Sequence, residues 1–186
     1  MLSYLIISHI LFTLLFLVVI FYSGFKNSLN KSLLFKSFLS GIISAFFYTL
    51  ISLLILTFSK EKISYSGNTA LIITVTTEEL FKSIFIIYWI NKNDSIKLFQ
   101  LFIICSATAL GFSFIENIFY YLAFDKTNLT SGFVMIRSIL LPLMHMTATI
   151  IFGYFIFKGK KENFAYNFIL GLLLSSLVHY SWNILL

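Results

Sequence analysis

Along the chain, apolar residues fall in long unbroken runs separated by short polar gaps, without the alternation that a transmembrane barrel or a half-buried strand requires. The runs cover residues 2–22, 38–58, 69–90, 98–124, 132–157 and 164–186. Each is close to the roughly 20 residues that an α-helix needs to cross the hydrocarbon core. The pattern therefore predicts an all-α protein, a polytopic transmembrane helical bundle of about six spanning helices. Turn formers and charges fill the gaps, as in Ser23-Gly24, Asn91-Lys92-Asn93-Asp94, Asp125-Lys126-Thr127-Asn128 and Lys158-Gly159-Lys160-Lys161. No internal repeat, linker or low-complexity segment divides the sequence, which reads as a single integral membrane domain over residues 1–186.

Composition makes lipid the solvent. Of the 186 residues, 59% are apolar, 19% aromatic and 11% charged, with a mean hydropathy of +0.96. A water-soluble domain cannot hide that much apolar surface. The first run, Leu2 to Tyr22, has neither a basic leader nor a small-residue cleavage site, so it reads as a spanning helix rather than a signal peptide. Cys105 lies within an apolar run, where it reads as a small packing residue.

The net charge of +6 resides mainly in the gaps, which makes it a statement about topology and not about nucleic acid. Gaps after the first, third and fifth runs hold eight lysines: Lys26, Lys31, Lys36, Lys92, Lys97, Lys158, Lys160 and Lys161. Those after the second and fourth hold three, Lys60, Lys62 and Lys126. The positive-inside rule then predicts a multi-pass protein of the cell membrane with both termini outside the cytoplasm.

Charged groups in hydrocarbon are costly unless paired or wetted, so their placement is the most informative feature. The first two runs carry only His9, which reads as a packing or interfacial histidine. The last four carry Glu78, Glu79, Lys82, Glu116, Arg137, His145 and His179. One such group alone would be a satisfied interhelical hydrogen bond; a set of them on four consecutive helices predicts a site built by those helices. Helical spacing gives Thr74, Glu78 and Lys82 an i, i+4 stripe, with Glu79 also within one turn of Lys82. Lys82 can neutralise one of the two glutamates, dividing the pair into a base and an acid. Ser113, Glu116, Asn117 and Tyr120 share one side of the fourth helix, and His145, Thr149 and Gly153 one side of the fifth. Gly171, Ser175, His179 and Asn183 recur every four residues on the sixth, a small and polar face suited to close packing around a cavity. At 1.5 Å rise per residue the site groups lie roughly 10–20 Å below the outer helix ends, close enough to share one layer. Trp89, near an inner helix end, fits the aromatic belt, and Trp182 reads as site lining or packing.

Four short motifs stand in order on these helices. Glu78-Glu79-Leu80-Phe81-Lys82 has the form EExxK, Phe112-Ser113-Phe114-Ile115-Glu116-Asn117 the form FxxxEN, His145 stands on the fifth run, and His179-Tyr180-Ser181-Trp182-Asn183 has the form HxxxN. Together they resemble the PrsW-type intramembrane proteases, relatives of the CAAX prenyl proteases, of bacteriocin-processing or immunity proteins and of the scaffold subunit of gamma-secretase. The resemblance runs from Thr69 to the end of the chain. CAAX-type enzymes more typically show EExxxR and FxxxH, where this sequence has Lys82 and Glu116, which favours the PrsW branch.

The resemblance implies an intramembrane peptidase acting on a membrane-anchored protein or peptide, with Glu78, Glu79, Glu116, His145, His179 and Asn183 as its catalytic set. Lys82, Asn117 and Arg137 would support them. In the leading form a glutamate of the pair is the general base, the histidines hold the water, Asn183 donates to the oxyanion, and Glu116 polarises a histidine or binds the water with Arg137 as its counter-ion. No cofactor is then required. The close alternative is zinc held by Glu116, His145 and His179, with one position open for water. Two other classes compete: a non-catalytic scaffold or immunity-type protein of the same fold, and a proton- or ion-coupled transporter. A scaffold would not need the whole set of acids and histidines, and no inverted repeat or pair of broken helices points to a transporter.

Overall fold

Long apolar segments in lipid satisfy their backbone polar groups within themselves, which leaves the helix as their one open-ended form. The computed structural model describes residues 2–58, 67–123 and 131–185. These form α1 (Leu2–Lys26), α2 (Lys31–Phe58), α3 (Asn68–Lys92), α4 (Leu98–Ala123), α5 (Ser131–Gly159) and α6 (Phe164–Leu185), with no strand among them. Five helices are long and apolar enough to cross a membrane by length and composition, which makes this a multi-pass helical bundle. The exception is α3: every stretch of it long enough to span contains Glu78, Glu79 and Lys82. All three are buried, so the charges that spoil α3 as a lipid-facing helix are turned into the bundle.

Helices α1 and α2 are longer than the apolar runs that announced them. α1 continues past Tyr22 to Lys26 and closes in a Schellman turn, where Ser28 takes a left-handed φ of 60° and Leu29 N–H donates to the Gly24 carbonyl at 2.9 Å. Asn30 Oδ1 then accepts from Ser32 N–H at 2.8 Å, which caps α2 and starts it at Lys31 rather than Phe38. Lys31 and Lys36 thus ride on the helix, where long stems carry an ammonium clear of an apolar surface.

Three connections lie at one end of the bundle. Gln100 Nε2 donates to the Asn27 carbonyl at 2.8 Å, and Lys160 Nζ donates to the Ile90 carbonyl at 2.6 Å and pairs with Asp94 at 3.1 Å. Lys60, Lys62 and Lys126, the smaller side of the lysine count, lie outside the described residues.

Beneath that end sits an apolar core of Ile86, Ile90, Leu101, Ile104, Phe152 and Ile156. Helix α4 is the most enclosed spanning helix and crosses α2 at two glycines. A Cβ on Gly41 would meet the Thr108 carbonyl, and one on Gly111 the Phe38 carbonyl, so the two backbones touch where only glycine permits it. Cys105 packs against Gly153 of α5 in the same core. Trp89, expected at the lipid interface, is buried there instead, with its Nε1 donating to Ser40 Oγ at 3.3 Å. An indole N–H needs an acceptor, and the α2 serine supplies it.

Candidate active site

With the apolar core filling one half of the bundle, the polar groups of α3 to α6 gather in the other. Glu79, Lys82, His145 and His179 are each at most 2% exposed. Lys82 reaches one turn back to Glu79 Oε1 at 2.5 Å and across to His145 Nδ1 at 3.0 Å, with its ammonium over the Phe112 ring at 4.9 Å. His179 Nδ1 bonds the same Glu79 oxygen at 2.8 Å, and His145 Nε2 bonds Glu116 Oε2 at 2.6 Å. Glu116 Oε1 in turn accepts from Arg137 Nη2 at 2.9 Å. The two imidazoles meet edge to face, 4.7 Å between centroids.

These bonds fix the tautomers. An ammonium can only donate, so His145 Nδ1 is an acceptor and its Nε2–H donates to Glu116. A carboxylate can only accept, so His179 Nδ1–H donates to Glu79, and Nε2 is the ring's remaining site for a proton or a ligand bond. That nitrogen faces Glu78 Oε2 at 3.6 Å, an oxygen with no hydrogen-bond partner among the described residues. A buried nitrogen and a buried carboxylate oxygen that face each other are satisfied by a shared proton, by the protons of a water molecule or by a cation. Glu78, His145 and His179 each offer a ligand atom, and the three atoms lie within 4.8 Å of one another. The glutamate of this trio is Glu78, whereas Glu116, expected as the third ligand, is taken up by Arg137 and His145. Glu79 behind His179 completes the carboxylate–histidine arrangement that orients a metal-binding imidazole. The donor set therefore suits a divalent ion such as zinc, with His145 exchanging one of its present bonds to join it.

The cluster is not sealed. A cavity of about 330 Å³ reaches it, lined in part by Glu116, Tyr120, Arg137, Trp182 and Asn183. Glu116 is the one member of the carboxylate–histidine cluster in that lining, and Arg137 is held there with its guanidinium 3.8 Å from the Tyr120 ring centroid. Asn183 is exposed on the cavity wall, apart from the buried trio, because α6 leaves the bundle interior in its last turn.

Two neighbours of the site come from α1 and α2, whose only charged residues are lysines near their ends. Tyr48 of α2 places its hydroxyl within hydrogen-bonding reach of the Glu78 carboxylate. His9 of α1 is fully buried against α4, with Nε2 3.3 Å from the Phe114 carbonyl and Nδ1 3.5 Å from Asn117 Nδ2. Nothing local in the sequence marks Tyr48, which sits in an aromatic run beside Phe46 and Phe47. For His9 the signal was its polarity in an otherwise apolar helix.

A protein-family model described as PrsW family intramembrane metalloprotease matches residues 30–186, which takes in α2 to α6 and leaves α1 outside. No curated protein and no solved structure matches the chain.

Proposed function

The chain belongs to the PrsW family of intramembrane metalloproteases, and from that membership we propose that it hydrolyses a peptide bond of a membrane-anchored protein, working in the cell membrane at the Glu78, Glu79, Glu116, His145 and His179 cluster. The observation that carries this reading is the double position of Glu116, which bonds His145 inside the cluster and also lines the cavity that a substrate can enter.

In this reading the substrate backbone enters beside Tyr120, and Arg137 and the Asn183 amide donate to its carbonyl oxygen. Glu116 takes the proton of the attacking water and returns it to the leaving nitrogen, so that a carboxyl and an amine end result. Glu79 holds His179 by Nδ1, and Lys82 balances Glu79 while keeping His145 turned toward Glu116. Glu78, His145 and His179 would hold the zinc, which when bound supplies Lewis-acid activation of water. A metal-free variant has its own support, since both ring nitrogens of His145 are already hydrogen-bonded. Glu78, facing His179, would then activate the water itself.

The test uses protein in liposomes and a set of internally quenched single-span peptides. Asn183→Ala should lower kcat by about 10²–10³ while KM changes little, the signature of an oxyanion donor engaged only in the transition state. Unchanged turnover would remove Asn183 from the chemistry, and peptides left intact by the wild type would count against the peptidase.

Orientation follows from the clustered connections. With the lysine-rich gaps at one end, we place that end in the cytoplasm and both termini outside. A cysteine introduced between Lys158 and Glu162 should resist an impermeant thiol reagent in intact cells and react once the cells are opened. Labelling in intact cells would reverse the orientation without disturbing the site.

A further inference from the structure

We infer that His9, on the helix outside the family match, is a positioning residue that sets the Arg137–Glu116 pair through the side-chain amide of Asn117. The Phe114 main-chain oxygen can only accept, so the His9 ring must carry its proton on Nε2, 3.3 Å away, and present Nδ1 as an acceptor. Asn117 stands before that acceptor with Nδ2 at 3.5 Å. The two ends of an amide are chemically unlike, and turning the NH₂ end to His9 turns Oδ1 to Arg137, which donates from Nε at 2.9 Å. Flipped, Asn117 would set donor against donor at Arg137 and acceptor against acceptor at His9. Asn117 is fully buried, so solvent is poorly placed to repair either mismatch.

The consequence passes along bonds already described. Arg137 is gripped at Nε by Asn117, stacked on Tyr120 and joined through Nη2 to Glu116 Oε1, and the other oxygen of Glu116 receives His145. One tautomer on α1 thus fixes the seat of a guanidinium on α5 and of the carboxylate on α4. Packing alone would ask less: the His9 ring stacks on Phe114 with centroids 5.6 Å apart and meets Tyr121 edge-on at 5.9 Å, contacts that any aromatic ring could make.

That difference supplies the test. His9→Phe keeps the ring contacts and removes both hydrogen bonds; His9→Gln keeps a donor and an acceptor and removes the ring. Full-length protein with isotopically labelled histidine, in liposomes, is compared by nitrogen solid-state NMR, the His145 signals being assigned by their loss in His145→Ala. The His145 Nε2 resonance should move in His9→Phe and return toward its wild-type place in His9→Gln. In a protein already carrying Asn117→Ala, adding His9→Phe should move it no further. The part that concerns catalysis rests on the peptidase reading: with the quenched single-span peptides, kcat should fall on the order of 10–100-fold in His9→Phe at nearly constant KM and recover in His9→Gln. An unmoved His145 resonance in folded His9→Phe overturns the inference, as does a further shift on adding it to Asn117→Ala. His9→Leu, which also lacks both hydrogen bonds, takes its place if His9→Phe does not fold. Peptides left intact by the wild type would sink the peptidase reading and leave the NMR comparison to decide the inference.

Discussion

Glu78→Gln protein is expected to purify almost free of divalent metal and to leave its substrate uncut, whereas Glu116→Gln protein should keep its metal and lose turnover alone. The two carboxylates are separated by what surrounds them. Glu78 Oε2 has no hydrogen-bond partner among the described residues and faces Nε2 of His179, the position of a ligand. Glu116 is held on both oxygens and lines the cavity, the condition of a group that meets the substrate. Wild-type protein should hold about one ion per chain, and its loss to a chelator should be reversed by zinc, since the ligands must be deprotonated and pre-aligned for tight binding. Glu116→Gln removes an acid–base group, for which about 10²–10⁴ in rate is the usual cost. Between these extremes, Glu79→Gln leaves every ligand in place but loosens the hold on His179, so metal affinity should drop by about 10–100-fold.

A different outcome is equally readable. Wild-type protein that is active with far less than one ion per chain, and indifferent to chelators, would assign water activation to Glu78 directly, and Glu78→Gln should then be inactive with no change in metal content. Full activity in both Glu78→Gln and Glu116→Gln would sink the peptidase mechanism in either form and return these buried charges to structure or transport.

How much of this was legible from the residues depends on which physical rule was asked to speak. Hydrocarbon forbids unpaired charge, so Glu78, Glu79, Lys82, Glu116, Arg137, His145 and His179 stood out from sequence alone, and helical spacing set Lys82 over its glutamates. Rotation about the helix axes and the order of packing are settled by long-range contacts that no local pattern encodes. For that reason the pairing of His145 with Glu116, and the choice of Glu78 as the glutamate beside both histidines, came only with the fold. Asn183 continues the four-residue stripe of α6, yet the stripe runs out of the bundle before reaching it. Trp89 misled in the opposite sense: a position near a helix end suggested lipid headgroups, but an acceptor on Ser40 was waiting inside. Tyr48 was invisible because one hydroxyl in an aromatic run alters no pattern. His9 stands out in the sequence, which gives it only a packing or interfacial place, since its partners, a main-chain carbonyl and an amide on α4, lie more than a hundred positions along the chain.

Lys82→Met should be the most destabilising single change in the site, by on the order of 3–5 kcal/mol, because it strands a buried carboxylate without a counter-ion. Methionine matches the length of the lysine stem and its liking for the Phe112 ring, so little packing is lost. What disappears is the cation 2.5 Å from Glu79 and the donor that holds His145 Nδ1. Glu79 would keep only the His179 N–H, at 1% side-chain exposure and so almost beyond the reach of solvent. The expected signs are poor recovery from the membrane and a clearly lower unfolding transition in detergent. Adding Glu79→Gln should restore most of the lost stability, since the stranded charge is gone, and this non-additivity is the mark of a direct pair. Activity should stay absent in the double variant, because His179 has lost the carboxylate that orients it. If Lys82→Met melts with the wild type, Lys82 is not the counter-ion that the geometry makes it. If instead the double variant is as unstable as Lys82→Met alone, the destabilisation comes from His145 losing its donor, and the partner that matters to Lys82 is the histidine rather than the glutamate.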